Sequence, residues 1–270
     1  MRFWRITEFN HQSDYAHSYI NGSLDHPFGL PGVHCDVCDS TWGGARILPV
    51  VCPTSLRCHT HLRECWPISL EQHTALQLEV RDEFLRYGVD VPPLRPGDEF
   101  QPCYLDIASR PEADFLWSSL GSMVVSTRVR QLFKSLNVDG IEFCPVTLRK
   151  VGRRDANLPA PIPSTGEPED IIDEVPLLKR TESIDPYFEL VVQTESRYAP
   201  GAEPSSICSG CGHATFPESD ERFKMVESMW KGAAVFFLAG TLHIVVTDRI
   251  RCALQDLSAT NVRFVEYGAA

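Results

Sequence analysis

Two twenty-residue stretches of this chain read as copies of one another: VVSTRVRQLFKSLNVDGIEF at 124–143 and VVTDRIRCALQDLSATNVRF at 245–264. They align without a gap at a constant offset of 121 residues. Val124, Val125, Arg128, Arg130, Leu136 and Phe143 meet Val245, Val246, Arg249, Arg251, Leu257 and Phe264, while Ser126 meets Thr247 and Val129 meets Ile250. Each copy predicts an apolar strand that runs into a Ser/Thr/Asp cap and then an amphipathic helix with apolar residues three and four apart. A turn at Gly140 or Asn261 follows, then a second strand carrying Ile141 and Phe143, or Val262 and Phe264. The period is much longer than that of a stacked solenoid, so it predicts a duplicated half-domain. The fold class expected is α+β: two related strand–helix–strand halves with a mixed sheet. The paired arginines at the head of each helix are expected to face solvent or a neighbouring acid rather than to bind an anion.

With 270 residues the chain is long enough for one large domain or two small ones, each with its own core. The repeat divides it into an N-terminal half at 1–151, a linker at 152–176 and a C-terminal half at 177–270. The linker, GRRDANLPAPIPSTGEPEDIIDEVP, is rich in proline and charge and reads as an exposed loop. Elsewhere, MRFWRI and QPCYLDI read as strands, and GAAVFFLAG at 232–240 as a buried strand or short helix. Residues 69–88 read as a helix capped by Ser69 and ended by Gly88, with a buried stripe of Leu70, Leu76, Leu78, Phe84 and Leu85.

The cysteines carry the chemistry. VHCDVCDSTWGG and ICSGCGH each contain a Cys-x-x-Cys knuckle, Cys35/Cys38 and Cys208/Cys211. In such a knuckle two thiolates hold one ion while the turn aims backbone N–H groups at the sulfurs. The residue just after it is well suited to the left-handed region, which glycine enters freely and aspartate more easily than most. Gly212 and Asp39 stand at those positions. One knuckle is half a tetrahedral site, or three ligands if His213 joins. Two knuckles make a closed four-thiolate site of structural type, each anchoring one half of the protein. A rival set lies nearer in sequence: CHTHLREC offers Cys58, His59, His61 and Cys65, two of which would complete a site with Cys35 and Cys38. Absence of bound metal is a third reading. Cys52, Cys103, Cys144 and Cys252 read as small core residues.

The formal net charge is −11, and such a surface repels phosphate backbones. The cluster at 149–154 is small against that excess, so nucleic acid is not the expected partner, whereas a basic protein suits the field. The first twenty residues lack the apolar core of a signal peptide, and the 232–240 run is too short to span a bilayer. A cytoplasmic chain without a membrane partner is expected, where clustered cysteines bind metal more often than they pair as disulfides.

The knuckles CDVCDSTWGG and CSGCGH, together with LPVV, LRPGDEF, RVRQLFKSLNVDGIEFCPV and ERF at 221–223, resemble the myxobacterial double-CXXCG-motif paralogous family. Members of that family look like immunity proteins of swarming-inhibition polymorphic toxins. The matching pieces are scattered between about residue 33 and residue 264, with Asp39 standing where the family has glycine. The resemblance implies a toxin-neutralising binding protein with a structural zinc, a cognate toxin as partner, and no catalysis. Glu169, Asp170, Asp173 and Glu174 of the linker, and the 88–101 loop, are the candidate contact residues. The alternatives are a zinc-dependent enzyme built on the Cys58–Cys65 cluster and a zinc-ribbon nucleic-acid-binding protein. No nucleophile elbow, phosphate-cradling glycine loop, zinc-protease helix or paired catalytic carboxylates appear in the sequence.

Overall fold

A computed structural model describes residues 1–8, 22–44, 46–64, 66–107, 111–118, 122–151, 179–181, 186–218 and 223–267. The fold is mixed α and β, with more strand than helix and with both mixed and antiparallel sheets. The linker at 152–176 lies outside the described residues.

Both repeated stretches are strand–helix–strand. Met123–Ser126 leads into the helix Thr127–Ser135 and the strand Ile141–Val151, and Ile244–Thr247 leads into the helix Asp248–Asp256 and the strand Arg263–Tyr267. The first helix starts where the Ser126 hydroxyl accepts the Val129 N–H. Each helix ends at a leucine, Leu136 or Leu257, followed by a residue with positive φ, Asn137 or Ser258. The turns then pass through Gly140 or Asn261, both also at positive φ. Aligned positions thus share the same unusual backbone.

The agreement extends to the sheets. In the four-stranded sheet the order is Val235–Phe237, Ile244–Thr247, Phe3–Thr7, Arg263–Tyr267. Within the seven-stranded path, four neighbours run Phe115–Trp117, Met123–Ser126, Tyr187–Val192, Ile141–Val151. In each set a strand from elsewhere in the chain enters between the two strands of the repeat. The register is the same: Val124 faces Glu189 and Phe143 faces Leu190, as Val245 faces Arg5 and Phe264 faces Ile6. The seven-stranded sheet continues beyond Ile141–Val151 to Cys103–Ile107, in parallel, and to Ser23–Asp25.

The two helices pack over one shared core. Val129 and Phe133 of the first helix meet Ile250 and Leu254 of the second, together with Ile6, Phe188, Leu190 and Val246. Each such fully buried side chain contributes about 1.5–3 kcal/mol by leaving water. Cys252 falls on the opposite face of its helix from Ile250 and Leu254 and is exposed, not a core residue as its composition suggested. Cys52, Cys103 and Cys144 are buried.

A second core lies under the helix Leu70–Arg86. Ser69 caps it in a full capping box with Gln72, and Gly88 follows its end at φ 74°. The buried stripe is His73, Leu76, Val80 and Phe84, while Leu78 and Leu85 are exposed. The observed spacing of three, four and four residues follows one face of the helix. Leu78 and Leu85, seven residues apart, share the opposite face, so their apolar character does not bury them.

A candidate four-thiol metal centre

Each knuckle closes the tip of a small hairpin. Val33–Cys35 pairs antiparallel with Ser40–Trp42, and Ser206–Ile207 pairs with Ala214–Thr215. The residue after each knuckle takes the left-handed conformation, Asp39 at φ 52° and Gly212 at φ 76°. At the second tip the Gly212 N–H donates to the Cys208 carbonyl at 2.9 Å, and the Cys208 N–H donates to the His213 carbonyl at 2.9 Å.

The fold brings the two tips face to face. Cys35 Sγ lies 3.9 Å from Cys208 Sγ, and Cys38 Sγ lies 3.7 Å from Cys211 Sγ. All four sulfurs lie within 4.8 Å of one another. A disulfide requires sulfurs about 2.05 Å apart, so these are free thiols. Four thiolates at about 2.3 Å from a tetrahedral ion stand about 3.8 Å apart, and the cross-knuckle distances match that edge length. The donor set therefore fits a metal ion, with no coordination position left over.

The surroundings favour thiolate at Cys208, while burial and the neighbouring Cys35 and Cys208 sulfurs push the Cys211 thiol up to about 11. Backbone N–H groups of Cys211 and Gly210 point at the Cys208 sulfur and bring its pKa down to about 6. Trp42 donates its indole N–H to Cys211 Sγ at 3.3 Å. The Trp42 ring also stacks on His213, with centroids 5.5 Å apart and planes 24° from parallel. Gly210 lets the tips approach: a Cβ there would meet Val37 Cγ2 at 2.9 Å and Cys35 Sγ at 3.5 Å. Trp42 and Gly210 have roles that the spacing of the cysteines does not disclose, although each is adjacent to a knuckle or within it.

The rival ligands stay apart from this centre. Among the described residues, Cys58, His59 and His61 do not gather with Cys35 and Cys38. Cys58 Sγ instead donates to the Ser55 carbonyl at 3.4 Å, and His59 and His61 have ring centroids 5.7 Å apart. Cys65 lies outside the described residues, as do Glu169, Asp170, Asp173 and Glu174. In the 88–101 stretch, Asp98 is fully buried, where it accepts from Arg46 Nε at 2.8 Å and from the Arg95 N–H at 2.6 Å. Asp98 therefore holds its own loop in place. Among the described residues, no helix is long and apolar enough to cross a membrane.

No family model matches the chain, and no curated protein matches it.

Proposed function

We propose that this is an immunity protein: it binds a cognate toxin protein in the cytoplasm and neutralises it without turning over a substrate. The observation that carries the reading is the meeting of both Cys-x-x-Cys turns in one four-thiol cluster, the same motif pair that resembles the double-CXXCG family. The ion in this reading is zinc, held by Cys35, Cys38, Cys208 and Cys211. Four thiolates leave no position open for substrate, so its role is structural. The protein is then built of two related halves, each contributing one knuckle. The common strand order and register of the two repeat units support this relation. The net charge of −11 suits a basic toxin, because opposite fields speed encounter and discriminate among partners. The linker acids Glu169, Asp170, Asp173 and Glu174 are the proposed contacts.

Co-expression with the product of the adjacent gene in a susceptible host tests the reading. A stoichiometric inhibitor protects in proportion to its amount and is recovered bound to the toxin. Death of cells that hold this protein soluble and in excess overturns it.

A further inference from the structure

Away from the knuckles, three chemically distinct side chains converge inside the protein. Glu189 belongs to the wholly buried strand Tyr187–Val192 and is itself 0 % exposed. Its Oε2 accepts from Gln101 Nε2 at 2.8 Å and faces His26 Nε2 at 3.0 Å. Its Oε1 has no hydrogen-bond partner, nor has the buried Oε1 of Gln101. Cys103, also 0 % exposed, completes the group: one ligand atom from each of His26, Cys103 and Glu189 lies within 4.8 Å of the others. On its far side the imidazole meets a second carboxylate, with His26 Nδ1 3.2 Å from Glu99.

Protein groups alone leave this arrangement incomplete. Two carboxylates flank one imidazole, an ion pair only when the ring is protonated, and the fully buried Glu189 keeps its second oxygen unused, which costs desolvation. A divalent ion supplies what is missing. A neutral imidazole, a thiolate and a carboxylate carry two negative charges, which a doubly charged ion balances. Glu99 then takes the place of the carboxylate that accepts from the other ring nitrogen of a metal-bound histidine and fixes its orientation. Gln101, whose Nε2 donates to Glu189 and whose Oε1 has no partner, is the candidate for a fourth ligand. The mixture of nitrogen, sulfur and oxygen excludes calcium and magnesium, which take oxygen ligands, and suits a borderline ion such as zinc.

We propose that His26, Cys103 and Glu189 form a second metal centre, buried and of structural type, for a zinc-class divalent ion. It would tie the segment after Ser23–Asp25 to the strands Cys103–Ile107 and Tyr187–Val192. The inference does not depend on the immunity reading or on the occupancy of the four-thiol centre.

The test is zinc content of the full chain, wild type beside Cys103→Ala, both purified under reducing conditions without chelator. Cys103→Ala is expected to hold one zinc fewer per chain, with the four-thiol centre undisturbed. Equal zinc content in the two folded proteins overturns the proposal. Should Cys103→Ala fail to fold, X-ray absorption at the zinc edge of the wild type decides. Imidazole and oxygen scatterers at about 2.0 Å beside the sulfur shell support the second centre, and a shell of sulfur alone overturns it.

Discussion

Arg128 and Arg249 hold equivalent positions in the two repeat units, and each closes the end of the other's helix. Arg128 Nη2 donates to the Leu257 carbonyl at 2.9 Å, and Arg249 Nη2 donates to the Leu136 carbonyl at 2.6 Å. Leu136 and Leu257 are the C-cap residues. An arginine in the first turn of each helix reaches the last turn of its neighbour only if the helices run antiparallel. Each cation then sits where the partner helix concentrates its negative end. The expectation that the paired arginines face solvent or an acid is met in part: Arg128 also donates from Nη1 to Asp114 at 3.3 Å and Arg251 from Nε to Asp248 at 3.0 Å, whereas Arg130 lies over the Phe188 ring.

Arg249→Ala is expected to cost about 0.5–1 kcal/mol, as an exposed bond to a helix end does. Asp114→Ala is expected to cost more, about 2–3 kcal/mol, because it strands several donors at once. Asp114 is buried and accepts from Ser126 Oγ at 2.7 Å, from Arg128, and from the Thr260 N–H at 3.2 Å. Denaturant unfolding of the two variants checks the order; equal losses would show that Asp114 is not the joint between the units.

Trp42→Phe is expected to leave the fold intact and weaken metal retention. The indole N–H is an outer-shell donor to Cys211, and removing such a partner lowers affinity about 10- to 100-fold. Competition with a chromophoric chelator measures this. Cys211→Ser in the same assay should release the ion outright, and an unchanged affinity in Trp42→Phe would remove the indole from the site.

Gly210→Ala is expected to push the knuckle tips apart, because the new methyl meets Val37 Cγ2 at 2.9 Å. Trimming the neighbour should relieve it. The double variant Gly210→Ala/Val37→Ala is expected to regain metal affinity that Gly210→Ala loses, in the same chelator competition. Val37 is exposed, so Val37→Ala alone should change little.

Along the helix Leu70–Arg86, Leu78→Ala and Leu85→Ala are expected within about 0.5 kcal/mol of wild type, and Leu76→Ala to cost about 2–5 kcal/mol. Thermal unfolding separates the two classes. A large loss at Leu78 would mean that something covers that face in solution.

The repeat and the knuckles are legible in sequence because their signals are local. Apolar spacing within twenty residues describes each strand–helix–strand unit, and a two-residue gap between cysteines describes each turn. MRFWRI reads as a strand, but where the two inserted strands go is not legible. Phe3–Thr7 and Tyr187–Val192 are short, and their positions depend on partners far along the chain, which no local period records. The helix Leu70–Arg86 shows an intermediate case: its existence and caps follow from Ser69, Gln72 and Gly88, but counting leucines misplaces the buried face that His73 and Val80 help form. His26, Cys103 and Glu189 belong to no spacing motif, and only the folded sheet brings them together.

The strand Phe3–Thr7 also sets a schedule for the growing chain. Both of its sheet neighbours, Ile244–Thr247 and Arg263–Tyr267, leave the ribosome more than two hundred residues later. At roughly 5–20 residues per second, that strand waits on the order of ten seconds or longer with its edges unpaired. The gap in the earlier unit that Tyr187–Val192 fills has the same register as the gap that Phe3–Thr7 fills. Correct assembly therefore requires Tyr187–Val192, and not Phe3–Thr7, to take that gap.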